Sequence, residues 1–252
     1  MTQDTPVNVN HSTAPEKFGL GSWLLLIALT GAGALLVYLM SLFIMVIWFN
    51  TVNPDSSAVM DQQLAQLRVT EPDATIDYEW VDYQDISIHL KRAVIASEDS
   101  RFFDHNGVEW EAIRKAWEYN QNQAQEGSGR RRGGSTITQQ VAKNLFLSNE
   151  RSYLRKAQEL VITYMIEAVM SKERILELYL NLAQWGSHTF GAQAAATLYY
   201  KTQANRLTPA QSARLAAMLP NPVYYQKKGI TPYLSSRIRT LLQRMRSVSL
   251  PS

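Results

Sequence analysis

Two carboxylates, a row of amides and hydroxyls, and one lysine carry the chemistry that this sequence offers. "SEDSRFFDH" (97–105) places Glu98 and Asp99 at the end of an apolar stretch, next to Phe102 and Phe103. A carboxylate held there can serve as a general base, or can simply end a helix at the surface. Glu159 lies in "RSYLRKAQELVITYMIE" (151–167), ahead of an almost wholly apolar segment that directs it inward or toward a cleft. Its alternative is an i,i+4 ion pair with Arg155. Between the two lies "GRRRGGSTITQQVAKN" (129–144). With Thr136 as N-cap, Gln139 falls at the third helical position and completes a capping pattern. At about 100° per residue, Thr136, Gln139, Gln140 and Lys143 share one polar face, and Ile137, Val141 and Leu145 form a separate apolar one. A helix start behind a glycine pair offers free N–H groups to an anion, and Lys143 and Arg130 to Arg132 add positive charge. The stretch is either a phosphate or pyrophosphate seat or a capped surface helix behind a basic loop. Two carboxylates around a basic phosphate seat suit glycosyl transfer: one takes a proton while cations carry the leaving group.

Other chemistries are poorly served. The stretch has no Gly-Lys-Ser/Thr and no Gly-x-Gly-x-x-Gly, so it is neither a P-loop nor a dinucleotide turn. Its bases are not interleaved with aromatics, and a net charge of +3 does not mark a nucleic-acid binder. The chain has no cysteine, which removes disulfides, a thiolate nucleophile and cysteine-containing zinc sites. His89, His105 and His188 have no zinc spacing, and Gly-x-Ser-x-Gly and Ser-x-x-Lys are missing.

The elements that must position these residues read as mainly α. The 252 residues suit one mid-sized domain plus an appendage. Leu20–Phe49 holds 30 residues without a charged side chain, more than the roughly 20 needed to cross a bilayer. Trp23 and Trp48 suit the two interfaces. The expected organisation is a disordered tail over 1–17, a transmembrane anchor over 18–50, an acidic linker and lead-in over 51–85, and a helical domain over 86–248. Helices are expected up to Ser97, around Trp110, Ile113 and Trp117, from Thr136 to Phe146, and from Tyr153 to Asn181 as one bent helix or two, with Ser171 as a second N-cap. Residues 118–134 read as a loop. Thr208-Pro209 and Thr231-Pro232 open two further helices. Charge is uneven: Tyr224 to Ser252 carries six bases and no acid.

The motifs "EDSRFFDHNGVE" (98–109), "GGSTITQQVAKN" (133–144), "RKAQE" (155–159), "SKERILELYLN" (171–181) and "LTPAQSARLAAMLPNPVYY" (207–225) resemble, in order and spacing, those of the peptidoglycan glycosyltransferases. These occur as the N-terminal domain of class A penicillin-binding proteins and as monofunctional enzymes. The resemblance covers roughly residues 80–246 and points to the monofunctional form. It implies a lysozyme-like α-helical domain with a small membrane-facing jaw, for which Trp110, Ile113 and Trp117 are candidates beside ordinary core packing. It implies polymerisation of lipid II into β-1,4 glycan strands, with lipid II, the growing strand, the membrane and cell-wall or division proteins as partners, and no nucleic acid. Glu98 would be the base for the acceptor's 4-hydroxyl. Glu159 would be the second essential carboxylate, orienting the pyrophosphate or holding magnesium or manganese; no organic cofactor is implied. Asp99, Phe102, His105, Gly134, Ser135, Thr136, Gln139, Gln140, Lys143, Asn144 and Arg151 match substrate-site motifs. The implied location is the bacterial inner membrane, single-pass, with the N-terminus cytoplasmic and the catalytic domain outside.

Three positions depart from the family pattern. Glu109 stands where Asp is usual, His188 replaces the middle glycine of a Gly-x-Gly-x-x-Gly, and Tyr199-Tyr200-Lys201 lacks the glycine of Tyr-Phe-Gly-Lys. A lysozyme-like glycan-cleaving enzyme and an inactive membrane scaffold are the rival readings.

Overall fold

The computed structural model of the protein describes residues 19–127, 133–148, 150 and 152–251. The chain forms two compact units, Met1–Leu42 and Phe43–Ser252. The described part of the first is most of helix α1 (Leu20–Phe49). Among the described residues this is the one helix long and apolar enough to cross a membrane, with mean hydropathy 2.3. Two of its hydroxyls bond within the helix: Thr30 Oγ1 donates to the Leu26 carbonyl and Ser41 Oγ to that of Tyr38, which suits an apolar medium.

The second unit starts with the last turns of α1. Arg174 donates to the orphan carbonyls there, reaching Phe49 O through Nε and Nη2 (3.0 and 2.9 Å) and Val52 O (3.0 Å). Satisfying a helix C-terminus with a guanidinium fits both its free carbonyls and its dipole. The segment 51–85, expected as an acidic linker and lead-in, is packed into the body. Ser57 caps α2 (Ala58–Arg68), whose Val59 and Met60 are buried, and β1 (Asp77–Tyr78) pairs in parallel with β2 (Thr189–Phe190). Buried Asn181 locks this segment down, since its amide both accepts from Val81 N–H and donates to Val81 O, each at 2.9 Å.

The helices that follow are α3 (Ile88–Glu98), α4 (Trp110–Gln125), α5 (Ile137–Phe146), α6 (Tyr153–Val169), α7 (Lys172–Leu182), α8 (Ala192–Tyr200), α9 (Pro209–Met218), α10 (Pro222–Lys228) and α11 (Pro232–Arg244). They form two packed groups. In one, α3 packs on α9 and α9 on α11. Alanines 213, 216 and 217 are fully buried on α9, and such small side chains let helices approach closely. In the other, α5 packs against α6 and α7. Ile137, Val141 and Leu145 form the buried stripe of α5, while α7 is buried nearly all round from Ile175 to Leu182.

The capping signals act as read. Thr136 and Thr208 both form complete capping boxes. Ser171 caps α7, so the long apolar stretch is two helices. The loop expected over 118–134 does not begin at 118, because α4 runs through 118–125. Those residues lack an apolar stripe, but Glu118, Gln121, Gln123, Ala124 and Gln125 are good helix formers. Apart from Ala116, α4 buries nothing; Trp110 and Trp117 are each 61% exposed, so they do not join the core.

Candidate active site

A cleft of about 740 Å³ lies between the two helix groups. The end of α3 supplies Glu98, α5 supplies Gln139, Gln140 and Lys143, α6 supplies Arg155, Lys156 and Glu159, and α11 supplies Tyr233, Arg237 and Arg244. Glu98 is held on both oxygens. Oε1 accepts from Ser97 Oγ at 2.9 Å, and Oε2 accepts from Gln140 Nε2 at 3.2 Å. Arg237 donates to Ser97 Oγ at 2.9 Å and comes within 3.9 Å of Glu98 Oε1. The carboxylate therefore meets polar donors, not the Phe102 ring, which is fully buried against Phe103.

Behind this wall several motif residues act as scaffold and do not line the cleft. Buried Asp99 accepts from His105 Nε2 (2.9 and 3.0 Å) and from the Ile137 N–H (3.0 Å). A carboxylate on the first amide of a helix complements its dipole, so Asp99 pins the start of α5 to the end of α3. Thr136 donates to Gly107 O while its Oγ1 caps the Gln139 N–H. Gly107 has φ +84, and a Cβ there would lie 2.7 Å from Thr163 and 2.8 Å from Glu167, so only glycine fits. Gly134 approaches the α4 backbone so closely that a Cβ would meet Ile113 Cα at 3.0 Å. Of the residues expected at the substrate site, Asp99, Phe102, His105, Gly134 and Thr136 are not in the cleft wall: Asp99, Thr136 and His105 Nε2 bond within the scaffold, Phe102 is packed, and His105 Nδ1 is buried with no hydrogen-bond partner. Asn144 is buried and lines a separate cavity of about 120 Å³ shared with Gln140 and Lys143.

Glu159 is buried, yet borders the cleft. Arg155 Nη1 donates to its Oε2 at 2.7 Å, and Lys156 Nζ donates to its Oε1. The i,i+4 pair and the inward placement, read as alternatives, are both present. Lys156 also donates to Ser135 Oγ at 3.3 Å, which ties α6 to the lead-in of α5. Lys143 has no hydrogen-bond or ion-pair partner among the described residues. Burial pushes its pKa down, the Glu159 charge partly opposes this, and Arg155 and Lys156 add to the lowering. The cleft therefore gathers cationic donors around one buried acid, an arrangement that binds a dianion by charge-assisted hydrogen bonds.

The same arrangement does not fit the divalent cation expected at Glu159. Both oxygens already face cations, and no second carboxylate or histidine joins it in a ligand set among the described residues. The three closely spaced ligand-type side chains that do occur, Asp99, His105 and Glu109, lie elsewhere. Asp99 and His105 are bonded to each other, and Glu109 accepts from Arg101 at 3.1 Å. Arg151 and Arg130 to Arg132 lie outside the described residues.

Sequence reasoning missed Ser97, Tyr119, Lys156, Tyr233, Arg237 and Arg244 in the cleft wall. The acid-free basic run from Tyr224 to Ser252 was the available signal for the two arginines. Local spacing could not reveal them, because Arg237 meets a residue 140 positions earlier in the chain.

Comparison with known proteins agrees with this geometry. The chain is similar to the biosynthetic peptidoglycan transglycosylase of Bordetella avium (strain 197N), 61% identical over 216 residues that cover 86% of this chain and 90% of that protein. The Bordetella pertussis protein of the same description is also 61% identical, with 86% and 89% covered. That of Herminiimonas arsenicoxydans is 51% identical over 231 residues, with 91% and 96% covered. Residues 62–246 match the family described as Transglycosylase, whose domain is helical and lysozyme-like. With Glu98, Lys143 and Glu159 all inside that match and gathered on one cleft, the chain belongs to the transglycosylase family.

Proposed function

We propose that this protein is a biosynthetic peptidoglycan transglycosylase that joins lipid-linked disaccharide units into β-1,4 glycan strands. One observation carries the reading: a single cleft presents a doubly held carboxylate, Glu98, together with Lys143, Arg155, Lys156 and Ser135. The growing strand is the donor and lipid II the acceptor. Glu98 takes the proton of the acceptor's 4-hydroxyl, and that oxygen attacks the donor's anomeric carbon. The carbon–oxygen bond to the pyrophosphate breaks as the new bond forms on the opposite face, which inverts the anomeric centre. The departing pyrophosphate needs charge neutralisation more than a proton, and Lys143 and Lys156 supply it; fixed donors aimed at developing charge are the larger part of such catalysis. Glu159 holds Arg155 and Lys156 in place so that they face the leaving group without repelling each other.

A glycan-cleaving enzyme would need an acid to protonate its leaving sugar and gains nothing from this cationic wall. Detergent-solubilised protein given labelled lipid II should make polymer, and given finished glycan strands should release no fragments. Fragment release without polymer would overturn the reading. We propose further that α1 anchors the chain in the cytoplasmic membrane, with its N-terminus in the cytoplasm and the body outside.

A further inference from the structure

We infer that Tyr179 and Arg237 are positioning residues for the Glu98 base, Tyr179 acting through Gln140 and Arg237 chiefly through Ser97, which it meets at 2.9 Å against 3.9 Å to Glu98 itself. This inference rests on the polymerase reading and deepens it. Glu98 offers two oxygens, and each is met by a donor that could equally turn away. Gln140 meets Oε2 through Nε2, but a carboxamide can rotate by half a turn and present its oxygen instead. Two acceptors would then face each other and the carboxylate would be displaced. Tyr179, on α7, prevents this: its hydroxyl donates to Gln140 Oε1 at 3.3 Å. An amide whose oxygen is engaged on the α7 side must turn its N–H group to Glu98. Tyr179 is itself fixed, being 2% exposed. Burial, joined by the charges of Glu98 and Asp99, pushes its phenol pKa well above the ordinary tyrosine range, so the hydroxyl keeps its proton and remains a donor.

Ser97 poses the same problem on the other oxygen. Its hydroxyl has one proton and two acceptors in reach, Glu98 Oε1 at 2.9 Å and the Ala216 carbonyl at 3.2 Å. Arg237 only donates. Its Nη2 occupies a lone pair of Ser97 Oγ at 2.9 Å, which leaves the serine proton to point at an acceptor, the nearer being Glu98. The chain of bonds runs Tyr179 to Gln140 to Glu98 on one side and Arg237 to Ser97 to Glu98 on the other. It joins α7, α5, α3 and α11, so the base is set by both helix groups at once.

The test uses the full-length protein in detergent, with kcat and KM for lipid II measured separately. Wild-type polymerisation reports on the polymerase reading by itself, so its failure is distinguishable from failure here. Tyr179→Phe and Arg237→Ala should each lower kcat by about fivefold to tenfold, the worth of one aligned hydrogen bond, with KM unchanged. Arg237→Lys, which keeps a donor, should recover part of the loss. Ser97→Ala combined with Arg237→Ala should cost about as much as Ser97→Ala alone, because Arg237 acts through Ser97. Should Tyr179→Phe fail to fold, Gln140→Met, which removes the amide between Tyr179 and Glu98, must give the same kcat loss with KM kept. Losses that fall on KM would make these residues substrate grips and overturn the inference. So would an unchanged kcat, or additive losses at Ser97 and Arg237.

Discussion

In the proposed reaction Glu98 and Lys143 divide the work of the cleft, one taking a proton and the other meeting negative charge, and their surroundings suit those tasks. Lys143 is the simplest to interrogate. Its pKa is lowered, first by burial, so its ammonium gives up its proton at a lower pH than an exposed lysine. The alkaline limb of kcat/KM should therefore fall before the ordinary lysine range is reached. In Lys143→Arg, which cannot be deprotonated at these pH values, that limb should move to higher pH even though the rate is lower. A limb that stays in place would detach it from Lys143. At this scale the sequence showed the first actors. Glu98, Glu159, Ser135, Gln139, Gln140 and Lys143 all reach the cleft, and the polar-face arithmetic for α5 located three of them, Gln139, Gln140 and Lys143. It could not tell cleft from scaffold. Asp99 is adjacent in sequence to Glu98 yet points to the α5 N-terminus, because consecutive residues leave a helix end in directions that only the packed partner decides.

Caps and turns decide which elements form, and here the family departures acquire physical meaning. Glu109 precedes α4 and makes no side-chain cap. It is held by Arg101 instead, so the longer acid trades a cap for an ion pair. Lys201 ends α8 at φ 52, ψ 41, the left-handed region, and is the one non-glycine with positive φ among the described residues. With the glycine of Tyr-Phe-Gly-Lys missing, this chain makes the left-handed turn with a lysine. A left-handed L-residue costs roughly 1–2 kcal/mol, and glycine returns part of that as chain entropy. Lys201→Gly should thus raise stability by up to about 1 kcal/mol, read as a higher thermal midpoint; a lower midpoint would contradict this account of the turn. Helices with a cap and a stripe, α5, α7 and α9, were legible to within a residue or two. The far half of α4, the alanine-rich α8 and the short α10 were not, since they carry no apolar period to read.

Across the whole chain, Leu20–Phe49 as a long apolar helix and the body as mainly helical were legible, whereas the seating of 51–85 in that body was not. Its ties, such as Asn181 to Val81, span about a hundred positions and leave no local pattern. The proposed topology places the C-terminus outside the cytoplasm. A reporter that works only outside the cytoplasm, fused after Ser252, should be active, and a silent fusion in stably expressed protein would reverse the orientation. The account as a whole stands on Glu98 being the base in a cleft that binds lipid-linked substrate through other groups. Glu98→Gln keeps the size of the side chain and the Ser97 contact. The variant should therefore bind labelled lipid II as the wild type does while its polymerisation rate drops by roughly 10²–10⁴-fold. Polymer made at the wild-type rate by Glu98→Gln would contradict the account.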